Sequence, residues 1–320
     1  MRQVTASLNK ELLFFGRGFR FGGMVITFAG CALLYPLMCL MMIAMEGMMA
    51  ELAITGLSGV VTTVASVVAS VSSSGFGISS EEAALFGGME EMFKMFSGES
   101  GMYMSYISTL GMFVSTAGIV VMVLIMGAAG GEQKKRSIII PQTAGLTATG
   151  YVLPKFMLYP PLVFVLTLLS TLLTNAISQP IFGTSYSFET ALATGALYGV
   201  FMMFSVCLYI FLGISLTQPG LSVIYVLAGN TIFSLIITMV FQVDRFTPWN
   251  LTAIADSLIP LSEDGGGLSA VYAAAATEMV PYSDIATTVV ITLVLCVGLM
   301  LGTLFAVTAK KMDNTADEVY

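Results

Sequence analysis

The stretch from Glu132 to Lys155, EQKKRSIIIPQTAGLTATGYVLPK, is the one long cation-bearing segment lying between two strongly apolar runs. It opens on Glu132, Lys134, Lys135 and Arg136, passes through Ile138, Ile139 and Ile140, breaks at Pro141, and closes on Lys155 where the next apolar run begins. Short loops rich in Lys and Arg are retained on the cytoplasmic side of a membrane, so this segment is expected to face the cytoplasm. Its charged head and apolar ridge predict a short amphipathic helix lying at the membrane surface. The ridge offers a face for a protein partner as well as for lipid.

Composition agrees with a membrane setting. The chain is 57% hydrophobic and 10% charged, with a mean hydropathy of +0.91, whereas soluble domains carry about 25% charged residues. The net charge of -7 argues against nucleic acid as a partner. Cys31, Cys39, Cys207 and Cys296 all fall in apolar runs without paired spacing, so they read as small buried hydrophobes rather than as a disulfide framework.

Working outward from the basic loop predicts an all-α polytopic membrane protein of six transmembrane helices, a single transmembrane domain over 1–320. Residues 1–20 place Val4, Leu8, Leu12, Phe15 and Phe19 at helical spacing, with Gln3, Lys10 and Arg17 on another face. This is an amphipathic surface helix rather than a cleaved signal peptide. The first span covers Phe21 to Met45, the second Tyr106 to Ala128, and the third Phe156 to about Ile177. Thr190 to Val243 is uncharged and too long for one crossing of about 30 Å. It divides at Gln218-Pro219-Gly220 into a fourth and a fifth span, and the sixth lies between Asp284 and Lys310.

Leu52 to Val71 is apolar enough to cross, but crossing would put Lys134, Lys135 and Arg136 outside. It is therefore expected to be re-entrant or partly buried within a first outer segment, 47–105. A second outer segment, 242–283, holds the apolar pieces Trp249 to Ile259 and Leu268 to Met279. With both termini cytoplasmic, ten of the twelve cations lie inside, leaving only Lys94 and Arg245 outside, as the positive-inside bias requires.

The loop 130–155 resembles that between the second and third spans of type-2 ATP-binding-cassette (ABC) exporter permeases. The family pattern runs E-(R/K)-x-x-G-(S/T)-x-x-x-(L/I)-x-x-(T/S)-P and ends in G-K at the next span. Glu132 matches the acid, Ser137 the hydroxyl residue, Ile138, Ile139 and Ile140 the hydrophobic ridge, and Lys155 the closing lysine. Arg136 replaces the usual Gly, Pro154 replaces the Gly before Lys, and the proline stands earlier, at Pro141. The resemblance implies a cytoplasmic coupling helix contacting an ABC ATPase through Glu132, Ser137, the isoleucine ridge and Lys155. It implies a second permease chain, as homodimer or heterodimer, in a bacterial or archaeal cell membrane. In the family, pieces of the outer segments often dip into the outer leaflet.

The residues also limit the chemistry. There is no His, which removes histidine-based nucleophile pairs, zincin sites and histidine proton relays. No G-x-x-x-x-G-K-S/T loop is present, so if ATP drives this protein the ATPase is another chain. The resemblance then implies a transport subunit rather than an enzyme, with no cofactor expected on this chain and ATP and Mg on the partner ATPase. The carboxylates avoid span centres, which weakens a proton- or sodium-coupled mechanism.

Asn175 and Asn230 are the strongest polar side chains within the spans. They suit interhelical hydrogen bonds, worth about 0.6 kcal/mol each, or a substrate path. Met89, Met92 and Met95 recur every three residues in the acidic outer segment. Thioethers suit Cu(I), but no Cys or His joins the cluster to strengthen a metal site, so adaptable apolar packing is the favoured reading. The readings are thus an ABC exporter permease, an ATP-independent channel or lipid scramblase whose basic loop binds anionic head groups, and a copper-handling exporter.

The topology is directly testable in a background lacking the four native cysteines. Single cysteines at Ser73 and Gly266 should react with an impermeant thiol reagent in intact cells, and one at Thr143 only after permeabilisation. Labelling of the Thr143 position from outside would reverse the orientation.

Overall fold

The computed structural model describes residues 2–17, 21–41, 43–45, 98–134, 147–215, 247–259 and 282–317. These residues are all-helical apart from short connections, with no strand among them. In chain order they form α1 (Arg2–Arg17), α2 (Phe21–Met45) and α3 (Gly98–Met112), which passes through a π-helical turn at Phe113–Ala117 into α4 (Gly118–Lys134). Then come α5 (Ala148–Phe182), α6 (Phe188–Ser215), the short α7 (Asn250–Ser257) and α8 (Tyr282–Asp317).

Five stretches are long and apolar enough to cross a membrane: Phe21–Met45, Gly101–Met126, Ala148–Phe182, Phe188–Ser215 and Asp284–Thr308. They fit a multi-pass membrane protein and coincide with the first, second, third, fourth and sixth expected spans. The expected fifth span, Leu52 to Val71, and Leu268 to Met279 lie outside the described residues.

The third span differs from its sequence reading. Instead of starting at Phe156, α5 begins at Ala148, because extended Thr147 caps it by accepting from the Gly150 N–H at 3.2 Å. It runs 35 residues, about 52 Å at 1.5 Å per residue, and ends at Gly183. That glycine takes φ +75° and donates its N–H to Gln179 O at 2.9 Å. Pro154, Pro160, Pro161 and Pro180 therefore all lie inside the helix, as helices in lipid tolerate when neighbouring elements hold them. The early start also shortens the basic loop. Glu132 and Lys134 belong to the end of α4, and Lys155 to the second turn of α5, so at most 135–147 connects them.

α6 is the axis of the bundle. It packs against α4, α5, α7 and α8, and 72% of its apolar window is buried, against 17% for the window on α8. Its contact with α5 is made possible by Gly195 and Gly199, one turn apart in the small-xxx-small spacing that lets membrane helices approach closely. A Cβ at Gly199 would stand 2.7 Å from Cδ2 of Phe164, and one at Gly195 would stand 3.1 Å from Thr171 Cβ. On α2, Phe28 meets Phe113 of the π turn with ring centroids 5.7 Å apart.

The hydroxyls of α5 form a buried face, and most bond back onto their own helix. Thr167, Thr171, Thr174 and Ser178 each donate to the carbonyl four residues earlier at 2.8–3.0 Å. Such self-satisfaction lets polar side chains enter an apolar bundle without a partner helix.

Gly199→Ala should destabilise the purified protein by about 1–3 kcal/mol through overpacking against Phe164. Gly30→Ala, where nothing lies within 4 Å of the new Cβ, should be neutral or slightly stabilising. Thermal unfolding in detergent separates the two, and equal melting temperatures would refute the close-approach role of Gly199.

Candidate functional site

Two polar clusters interrupt the apolar bundle at different depths. The first joins α1 to α5. Lys155 Nζ lies 2.6 Å from Glu11 Oε1, with side-chain exposures of 1% and 8%. The Tyr159 hydroxyl donates to Glu11 Oε2 over 3.4 Å, and the ammonium stands 4.9 Å from the Tyr151 ring centroid. Tyr151, Lys155 and Tyr159 follow one another at four-residue spacing, so α5 presents all three on one side. A cation–π contact and a charge-assisted hydrogen bond thus share one desolvated ammonium.

The geometry changes how α1 is read. Glu11 lies on the stripe of Val4 and Leu8 and turns inward, while Leu12 and Leu13 are 46% and 57% exposed on the outside of the protein. An outward leucine edge suits a helix resting on lipid. The acid is the group that fastens it to the bundle. A buried ion pair of this kind adds little net stability against an apolar pair, but losing one partner strands a buried charge.

The second cluster lies along α6. Tyr198 donates its hydroxyl to Asp256 Oδ1 of α7 at 2.7 Å, and one turn earlier Thr194 shares a 2.9 Å hydrogen bond with the Tyr106 hydroxyl of α3. Trp249, which precedes α7, meets Phe204 edge-on with centroids 5.8 Å apart. Tyr198 and Phe204 lie about 15 Å and 24 Å along α6 from its start, so α7 is seated beside the middle of that helix. Leu251, Ile254, Ala255 and Ile259 are buried in the seat. Burial pushes the Asp256 carboxyl up to about 6, with the Tyr198 hydroxyl holding it down in part. No acid sits at a span centre in the linear sequence, yet the fold carries this one alongside one.

The residues singled out from sequence are distributed unevenly. Lys155, expected to face a partner, is buried and engaged by Glu11, because α5 begins before it rather than after it. Glu132 lies at the end of α4, and Ser137, Ile138, Ile139 and Ile140 lie outside the described residues. Asn175 donates to Tyr186 O at 3.1 Å and accepts from Tyr186 N at 3.0 Å, which clamps the turn between α5 and α6. Both ends of its amide are thereby used within the chain. Asn230, Met89, Met92 and Met95 lie outside the described residues.

Sequence reasoning missed Glu11, Tyr198 and Asp256. An acid on the Val4–Leu8 stripe and the Tyr-Lys-Tyr spacing were visible signals for the first cluster. Nothing local marked the Tyr198–Asp256 pair, whose members stand 58 residues apart. No family model matches the chain, and no curated protein and no solved structure matches it either.

Lys155→Met alone should cost about 3–5 kcal/mol by stranding the Glu11 carboxylate, while Glu11→Leu with Lys155→Met should recover most of that loss. Unfolding of the three proteins in the same detergent decides it. Equal stability of the single and double variants would show that the pair is not buried in the folded protein.

Proposed function

We propose that this chain is the membrane-spanning subunit of an ABC exporter of type 2, driven by a separate ATPase. The observation that carries the reading is the Glu11–Lys155 junction, which fastens an N-terminal amphipathic helix to the second turn of the helix that follows the basic loop. A permease without its own nucleotide site needs a cytoplasmic surface that moves as a unit when the ATPase pushes on it. α1 and the start of α5, pinned to each other, supply a rigid base for the segment carrying Ser137 and Ile138 to Ile140. Lys155 then belongs to the base and not to the gripping face.

In this reading the segment after Ser215 supplies the fifth of six spans, both termini are cytoplasmic, and a second permease chain completes the pathway. The seating of α7 beside the middle of α6 supports an outer segment that dips into the membrane rather than standing above it. The membrane would be that of a bacterium or archaeon, as the family resemblance implies. The cargo belongs to the classes such permeases move, among them peptides, lipids, glycans and drugs.

Glu132→Ala, and separately a Gly-Ser replacement of Ile138 to Ile140, should leave insertion intact but weaken ATPase association about tenfold, the scale of one lost interface anchor. Co-purification of the ATPase and substrate-stimulated hydrolysis are the measurements. Unchanged association and coupling in both variants would remove the coupling assignment, and full transport by the purified chain without ATP would favour the channel or scramblase reading.

A further inference from the structure

α7 is a short helix with a buried apolar side and one ionisable residue, Asp256. Among the described elements its main partners are α6 and α8. From α6 the facing titratable group is Tyr198, which donates to Asp256 Oδ1 at 2.7 Å, and α8 opens with half-buried Asp284. Tyr106 of α3 shares its hydrogen bond with Thr194, one turn before Tyr198 on α6. The cations whose side chains are described, Lys10 and Lys155, belong to α1 and to the start of α5, away from the α6–α7 contact. Asp256 is thus placed beside mid-α6 with a phenol as its hydrogen-bond donor and another acid, rather than a cation, on the adjoining helix.

We propose that Asp256 is a proton-binding site of this membrane protein, and that its ionisation loosens α7 from the bundle. A neutral carboxyl lets Leu251, Ile254, Ala255 and Ile259 stay packed, since no charge is then held beside the apolar centre of α6. An ionised one draws the helix toward water. The direction follows from linkage. A carboxyl that burial pushes up to about 6 favours the seated state fully below the ordinary carboxylate range, and the preference is lost as pH rises through about 6. The ligand is the proton itself, and the response requires neither ATP nor a partner chain, so it can hold or fail independently of the ABC reading.

The test uses the full-length chain in lipid vesicles. Amide exchange of residues 250–257, corrected for intrinsic rates, should accelerate on the order of tenfold between about pH 5 and pH 7.5. Difference infrared spectra should show a protonated carboxyl band that disappears over the same range. Asp256→Asn should abolish the band and leave α7 protected at both pH values. Tyr198→Phe should move the midpoint upward, because the hydroxyl favours the ionised form. Asp284→Asn should leave the response in place. A flat exchange profile in the unmodified protein overturns the proposal, as does a pH response that survives Asp256→Asn or disappears with Asp284→Asn.

Discussion

The approach of α5 to α6 is the constraint on which the rest of this bundle depends. In lipid there is little hydrophobic force between helices, so association rests on close van der Waals packing and hydrogen bonds. Gly195 and Gly199 permit that packing, bringing the Phe164 ring and Thr171 against the α6 backbone. Once α5 lies there, its two ends are placed. One end delivers Asn175 to the turn at Tyr186, and the other delivers Lys155 to the side of the bundle where α1 docks.

Polar groups in this molecule follow a consistent logic. The hydroxyls of α5 bond back to their own helix, Asn175 closes on the backbone of the turn beside it, and Lys155 is enclosed by Glu11, Tyr151 and Tyr159. Each arrangement offsets desolvation locally, as an apolar solvent demands. Asp256 is the departure. It has a hydroxyl donor but, among the described residues, no cation opposite it, and burial shifts its titration toward neutrality. Its carboxyl is therefore held by one neutral hydroxyl, whereas the Glu11 carboxylate is held by an ammonium and a hydroxyl.

The two clusters divide the work in the proposed transporter. The α1–α5 junction is an ion-paired fastening on the side of the basic loop, and the α6–α7 seat is an apolar contact closed by a single Tyr–Asp hydrogen bond. α6 connects them, since it packs against α5 along one side and carries Tyr198 on its way to the short helix. The Phe164 ring fills the space over Gly199, so α5 and α6 meet without a gap at that level.

The sequence by itself determined the helical class and the positions of five long apolar stretches, because uninterrupted hydropathy over twenty or more residues has few other uses. It also located an amphipathic N-terminal helix by periodicity. The G-A-L-Y-G spacing at Gly195 and the Tyr-Lys-Tyr spacing at Tyr151 were legible too, as patterns whose partners were not. What only the tertiary structure decided were the pairings across long separations. Glu11 and Lys155 stand 144 residues apart and Tyr198 and Asp256 58 apart, and no local pattern encodes which acid meets which donor. The start of α5 was likewise a tertiary matter. Pro160 and Pro161 suited a start at Phe156, where a missing N–H in the first turns is cheapest, but the helix begins at the Thr147 cap and is held by α6, α3 and α1 along its length. Lys155 is buried because Glu11 of the docked α1 and the Tyr151 ring enclose it.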